Sequence, residues 1–284
     1  MTQTIAIITP AFRAERWIAR CARSVLAQTN GDWEHWIVAD DVADYEAILA
    51  ADGARDPRQR FATTGAVGRG SSAARNVALD AIATPYAALL DADDRFAPEK
   101  LARVVPLLDA HGIVSMAIAE FDEAGRALRQ VGTGPNHALV PGAYKWTCLS
   151  MDSMIAWNRR VTDGRCDLTL GAMTDLSLLL ELFRTVPATW HIGTPLHHYI
   201  KMATSVSNGP GVTARMVAAK RELIHRLESG RYPMADVRGP AGLARFLALS
   251  LTAEETYEQA LAARPGLLFE DHLEPILAAN PPQP

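Results

Sequence analysis

Four short apolar runs constrain this chain more than any other feature: residues 5–8, 33–39, 60–63 and 86–90. Each has strand length, and the first, Ile5-Ala6-Ile7-Ile8, is stopped by Pro10, as expected for a buried parallel strand. Helix-period segments separate them. Residues 14–28 place Trp17, Ile18, Cys21, Val25 and Leu26 on one face before Asn30-Gly31 ends the pattern. A second helix is expected over 45–51, and a third over 71–82, opened by Gly70. Alternation at this spacing predicts an α/β fold built on a βαβ sheet with right-handed crossovers.

Past residue 97 the pattern is less regular. The spacing predicts a helix over 98–111, a strand near 113–121, a Gly/Pro-rich loop over 132–142 and a helix over 173–185. The remainder reads as helical over 212–229, 241–249, 253–263 and 267–279, with Gly230 and Pro265 as breaks.

With 284 residues, 49% hydrophobic and 21% charged, the chain has the composition of one large or two intimate globular domains. No apolar run reaches the ~18 residues that span a bilayer. The first residues, MTQTIAIITPAF, lack a basic region and a cleavage site, and Cys21, Cys148 and Cys166 form no CxxC pair. Together these predict a reduced, cytoplasmic protein without disulfide or zinc. A net charge of −4 and the lack of a basic run exclude nucleic acid as a partner. An anionic small molecule stays open, provided something local neutralises it.

The strongest chemical signal is the fourth run, which leads straight into Asp91-Ala92-Asp93-Asp94. Three carboxylates so close repel one another and raise one another's pKa unless a cation resolves the array, and Mg²⁺ or Mn²⁺ with phosphate oxygens would do so. The alternative is an acidic capping turn ahead of Pro98. Asp40-Asp41 ends the second run, where a carboxylate can meet a base or ribose or simply form a turn. In GRGSSAARN, Gly68, Gly70, Ser71 and Ser72 permit close backbone approach at a helix start, and Arg75 can reach a pyrophosphate or pair with an aspartate. Asp175 opens an apolar helix, where it is either a cap or a catalytic carboxylate. His197-His198 would point to opposite faces of a strand, so core or rim positions suit them better than a metal site. The tryptophans are mostly core by prior, with Trp146 and Trp157 placed to stack on a sugar.

Taken in this order, the pieces resemble an inverting, non-processive family 2 glycosyltransferase of the GT-A fold. IITPAFRAERWIARCARSVLAQTNGDWE is similar to that family's first strand, Pro-Thr-Tyr-Asn turn and helix ending Ser-Val-Leu-x-Gln-Thr. IVADD, GSSAARN and LLDADD resemble its Val-Asp-Asp, Gly-x-Ser-Ala-Ala-Arg-Asn and Leu-Asp-x-Asp-Asp motifs, at its separations, over residues 5–100. Beyond that the likeness thins to Thr174-Asp175 and residues 195–207. The resemblance implies a mixed GT-A sheet over 1–210, with a nucleotide half (1–97) and an acceptor half (98–210), followed by a helical region (211–284).

It implies roles as well. Pro10, Ala11 and Phe12 fall on the turn that lines the nucleotide, Asp40 on the base-binding position, and Arg75 on the nucleotide-contacting arginine. Asp91 would face the ribose and diphosphate and share the metal, Asp93 would hold the metal, and Asp175 would be the general base. The implied reaction moves one hexosyl unit from a nucleotide-sugar, UDP-linked by expectation, to a hydroxyl of a glycan, a lipid-linked sugar or a small molecule, using Mn²⁺ or Mg²⁺. Polysaccharide or glycoconjugate biosynthesis is the setting. Departures are visible: Phe12-Arg13 replace Tyr-Asn, Asp41-Val42 replace Gly-Ser, and Ile200 and Met202 fall where a late Arg and His are usual. Tyr199 and Ser205 keep that late pattern, and Lys201 stands one place from the missing arginine. The Gln-x-x-Arg-Trp motif of processive synthases is absent. A sugar-nucleotide pyrophosphorylase would need a Gly-rich basic loop where TPAFRAER stands, and an Asp-x-Asp phosphatase would carry its motif on the first strand. A non-catalytic nucleotide-sugar-binding or protein-interaction module remains the alternative. The terminal helices have apolar faces that allow a homodimer or acceptor-side packing, and peripheral membrane contact is open.

Overall fold

The computed structural model describes residues 3–202 and 212–283. The four apolar runs form parallel strands β1 (Ile5–Ala11), β2 (Trp33–Ala39), β3 (Gln59–Thr63) and β4 (Tyr86–Leu89). Helices α1 (Ile18–Leu26), α2 (Tyr45–Ala51) and α3 (Ser71–Ala81) cross between them. β1 runs through Pro10 rather than stopping there. Its pairing with β4 ends at Ile8, so one side of the strand is open at Pro10, which is where a strand tolerates proline.

The second half completes a mixed sheet. Its strands are β5 (Arg95–Phe96), β6 (Ile113–Asp122), β7 (Ala127–Val131), β8 (His137–Leu139), β9 (Ala156–Asn158) and β10 (Thr189–Lys201). The order is β3-β2-β1-β4-β9-β6-β10-β5, with β7 on β6 and β8 on β10. β9 is antiparallel to both β4 and β6, so β6 and β10 run in the same direction as β1–β4. The C-terminal ends of β1, β2, β4, β6 and β10 therefore share one side, the side on which open α/β sheets bind ligands.

Several local expectations are revised. The helix expected over 98–111 is three pieces, α4 (Lys100–Val104), a 3₁₀ turn (Val105–Leu107) and α5 (Leu108–His111). Pro106 inside it cannot donate the helical hydrogen bond. The loop expected over 132–142 contains β8, and α6 (Pro141–Thr147) follows it directly. α7 (Thr174–Leu182), α8 (Val212–Glu228) and α10 (Phe269–Ala279) lie where helices were expected. The two helices expected over 241–249 and 253–263 are one, α9 (Gly239–Ala263). No Gly or Pro interrupts Ser250-Leu251-Thr252, and Ser250 is buried.

The terminal helices have no core of their own. Leu223, Leu243, Leu273 and Leu277 belong to the same buried cluster as Ile5, Leu89 and Ile118. Among the described residues no helix is long and apolar enough to cross a membrane.

His35 on β2 lies wholly inside the sheet, its Nε2 2.9 Å from the Thr9 hydroxyl on β1. Burial lowers its pKa from 6.5 to about 3. The unfolded chain therefore takes up this proton near pH 6.5 and the folded chain does not, so the stability His35 carries is complete above 6.5 and falls as pH drops towards 3. Between pH 7 and 5, wild type should lose about 2 kcal/mol more than His35→Gln, at about 1.4 kcal/mol per pH unit. Urea midpoints at the two pH values check this, and equal losses would contradict it.

Candidate active site

Two aspartates at the end of β2 shape the entrance. The Asp41 carboxylate accepts the amide of Arg13, the Tyr45 hydroxyl (2.8 Å) and the amide of Ala43 (3.0 Å), and Tyr45 in turn accepts the amide of Ala14 (3.0 Å). This ties down the turn after β1, where Arg13 takes a left-handed backbone (φ 51°). Ala11 is buried at the strand end, Pro10 is half-buried, and Phe12 is 45% exposed at the rim. Asp40, expected at the nucleotide base, is buried with its carboxylate turned to the protein. Oδ1 accepts the Thr64 hydroxyl (2.7 Å) and the amide of Arg69 (2.9 Å), and Oδ2 the amide of Gly70 (2.7 Å). It thus fixes the small-residue loop that opens α3.

That loop delivers Arg75. Its guanidinium, with 4% of the side chain exposed, donates to Asp91 Oδ1 at 2.6 Å and to Thr174 Oγ1 at 2.9 Å. Thr174 Oγ1 also lies 3.1 Å from the Ser71 hydroxyl. Burial works against the charge on Arg75, but Asp91 beside it, with Cys166 and Asp175 behind, raises its pKa above the ordinary value. Residues from α3, the end of β4 and the start of α7 are thus gathered around one cation.

Asp175 sits in the first turn of α7, two residues after Met173, whose φ of 56° turns the chain into the helix. Its Oδ2 accepts the amide of Asp152 at 3.0 Å, and the side chain is half-buried at the cleft. Asp152 itself is buried and held by Lys145 Nζ at 2.9 and 3.0 Å. Burial pushes the Asp152 carboxyl up to about 6, against the pull of Lys145. The next residue, Ser153, donates to Asp91 Oδ2 at 3.0 Å. Residues 148–155 therefore join the base candidate to the Arg75–Asp91 pair. Sequence reading missed this segment; its one signal was the charged Asp152, set with Ser150 and Ser153 among apolar residues.

The three clustered carboxylates diverge. Asp91 has both oxygens engaged by Arg75 and Ser153, and Asp94 is buried, accepting the amide of Ile200 at 2.8 Å. Asp93 faces the cleft, and its carboxylate has no hydrogen bond to another residue among the described ones. Arg20 donates instead to the Asp93 carbonyl, at 2.8 Å. Burial, with Asp91 beside it, raises the Asp93 carboxyl to about 6. A partly buried carboxylate with no hydrogen-bonded side-chain partner among the described residues, whose raised pKa Arg20 only partly offsets, fits one ligand of a divalent metal. Among the described residues no group of three or more His, Cys, Asp or Glu side chains could hold the ion alone, so the diphosphate would complete its shell.

On β10, His197 points into the core and His198 lies half-buried against Phe121 (5.2 Å), as opposite faces of a strand require. Lys201 turns to Glu270 at 2.5 Å and Glu120 at 3.6 Å rather than towards Asp93. Ile200 and Met202 are buried. Ser205 lies outside the described residues.

A mixed sheet with a carboxylate cluster after β4, an arginine on the preceding helix α3 and a carboxylate in the first turn of α7 is the arrangement of the GT-A fold. Residues 6–162 match the model of Glycosyl transferase family 2, and the chain belongs to that family. It is 30% identical over 112 residues to UDP-Glc:alpha-D-GlcNAc-diphosphoundecaprenol beta-1,3-glucosyltransferase WfgD of Escherichia coli, covering 39% of this chain and 44% of that protein. The chain spans between 13% and 52% of the length of the curated relatives it matches. In fold it is similar to TarS 1-349 of S. aureus in complex with UDP-GlcNAc (TM-score 0.64, 12% identity, 97% of this chain and 80% of that one). It is also similar to the mannosyltransferase PcManGT of Pyrobaculum calidifontis in complex with GDP-Man and Mn²⁺ (TM-score 0.56, 17% identity, 97% and 79%).

The Lys145–Asp152 pair generates a stability test. Lys145→Met leaves a buried carboxylate uncompensated and should cost about 3–5 kcal/mol, whereas Lys145→Met/Asp152→Leu should recover most of that loss. Urea denaturation of these two variants and of Asp152→Leu alone, read as a double-mutant cycle, measures the coupling. Additive losses would show that the two side chains do not stabilise one another.

Proposed function

We propose that this enzyme transfers a single sugar from a UDP-sugar to an acceptor hydroxyl with inversion, assisted by a divalent metal anchored at Asp93. The observation that carries this reading is the meeting of three groups in one cleft: the Arg75–Asp91 pair, the unpartnered Asp93 and the half-buried Asp175. The division into a nucleotide half (1–97), an acceptor half (98–210) and a helical region (211–284) belongs to the same proposal. So does the expectation that the acceptor is a glycan, a lipid-linked sugar or a small hydroxyl compound.

Pro10, Ala11 and Phe12 line the nucleotide, with the exposed Phe12 ring offering a face to the base. Asp40 acts on the nucleotide through the loop it holds, since its oxygens are already committed to that loop. Arg75 holds the Asp91 carboxylate by a hydrogen bond from its guanidinium, aimed at the ribose and diphosphate. With Asp91 so engaged, metal binding falls chiefly to Asp93. A cation bound there, Mn²⁺ or Mg²⁺, would supply positive charge to the departing diphosphate. Asp175 takes the proton of the acceptor hydroxyl as that oxygen bonds to the anomeric carbon from the face opposite the diphosphate. The bond from the anomeric carbon to the diphosphate oxygen breaks with its electron pair on the nucleotide, and the configuration inverts.

Turnover of a panel of UDP-sugars and acceptors, followed by UDP release and by NMR of the product anomer, tests this. Asp175→Asn should lower kcat by about 10²–10⁴-fold, the range for a lost general base, while leaving UDP affinity within threefold. EDTA or Asp93→Asn should abolish metal-dependent UDP binding. Full turnover by Asp175→Asn would overturn the base assignment, and a product with retained configuration would overturn inversion.

A further inference from the structure

Directly behind the metal-site candidate lies a buried polar chain that this mechanism does not use. Asp94, Lys100 and His197 are each fully inside the protein. Lys100 Nζ is 3.1 Å from His197 Nδ1, and His197 Nε2 is 3.3 Å from Asp94 Oδ2. Asp94 Oδ1 accepts the amide of Ile200 at 2.8 Å, and the Asp94 amide closes the turn on the Asp91 carbonyl at 3.0 Å. Phe96 packs under both partners, with Lys100 Nζ 3.6 Å from its ring centroid and the His197 ring edge-on at 5.5 Å. The chain thus spans from α4 through β10 to the turn that carries Asp93.

Nδ1 of His197 accepts from the Lys100 amino group, and Nε2–H donates to the Asp94 carboxyl group. Burial lowers the pKa of Lys100 and of His197 and raises that of Asp94, each towards its neutral form. The two hydrogen bonds satisfy polar groups that would otherwise be costly to bury. Their effect is to tie the turn of Asp91–Asp94 to the strand end that carries Tyr199.

We propose that His197 is a positioning residue for the metal ligand: through Asp94 it holds the turn so that the Asp93 carboxylate faces the diphosphate site. This rests on the reading of Asp93 as metal anchor. Glutamine supplies one acceptor and one donor at similar spacing, so His197→Gln can reproduce both hydrogen bonds; leucine keeps the bulk and reproduces neither.

The test is Mn²⁺ affinity, read as free Mn²⁺ by EPR, for the full chain in saturating UDP and, in a parallel arm, saturating GDP. His197→Gln should bind Mn²⁺ within threefold of wild type, and His197→Leu at least tenfold more weakly, with an unchanged far-UV CD spectrum. Lys100→Met breaks the chain at its other end and should weaken Mn²⁺ in the same direction, which serves if His197→Leu does not fold. Wild-type affinity in either His197→Leu or Lys100→Met would overturn the proposal, as would equal loss in His197→Gln and His197→Leu. Asp93→Asn is the control: undiminished Mn²⁺ binding in that variant, or none in wild type with either nucleotide, would overturn the metal reading itself.

Discussion

The site depends on one buried cation. Arg75 carries its charge into the interior, and among the described residues the only anion it directly pairs with is Asp91. A guanidinium in that position needs both compensation and hydrogen bonds, and it takes them from the end of β4 and from Thr174 at the start of α7. One side chain therefore sets the distance between the donor side and the base candidate. Ser153 closes the arrangement on the far oxygen of Asp91, so the pair is held from three directions. The register between Asp91 and Asp175 follows from satisfying Arg75.

The carboxylates around this cation sort by what neutralises them. Asp40 is answered by two amides and a hydroxyl, Asp41 by amides and Tyr45, Asp91 by Arg75, Asp94 by the His197 chain and Asp152 by Lys145. Asp93 and Asp175 differ, because among the described residues neither carboxylate forms an ion pair or a hydrogen bond to a side chain, although Arg20 acts on Asp93 from a distance. In the reaction proposed above, the first would take a metal and the second a proton from the incoming hydroxyl.

The first 97 residues were legible because each element there carries its own local signal. The strand-end aspartates, the Gly70 helix start and the apolar runs all lie where the sequence pattern placed them. The segment over 148–155 was not legible. It works through a backbone amide on Asp175 and a buried Lys145–Asp152 pair, and neither leaves a periodic or compositional trace. Lys145 alone reads as an ordinary helix residue. β10 escaped notice because register shifts between Ile192 and His197 break the alternation by which a long strand is recognised. The two histidines within it read correctly as opposite faces, but nothing in the sequence placed Lys100 beside one of them.

The departures on β10 have a packing logic. Ile200 and Met202 stand where the family resemblance leads one to expect an Arg and a His, and both are buried here. An arginine at either place would need a buried partner, yet the nearby acids are already engaged: Asp94 accepts the amide of Ile200, and Glu120 and Glu270 share Lys201. Lys201 thus ties the strand end to α10, so the terminal helices are part of the wall rather than an appendage, in keeping with the core they share with the sheet. With the strand-end charge directed into that wall and Arg75 paired to Asp91, the reaction proposed above leaves the neutralisation of a diphosphate to a cation at Asp93.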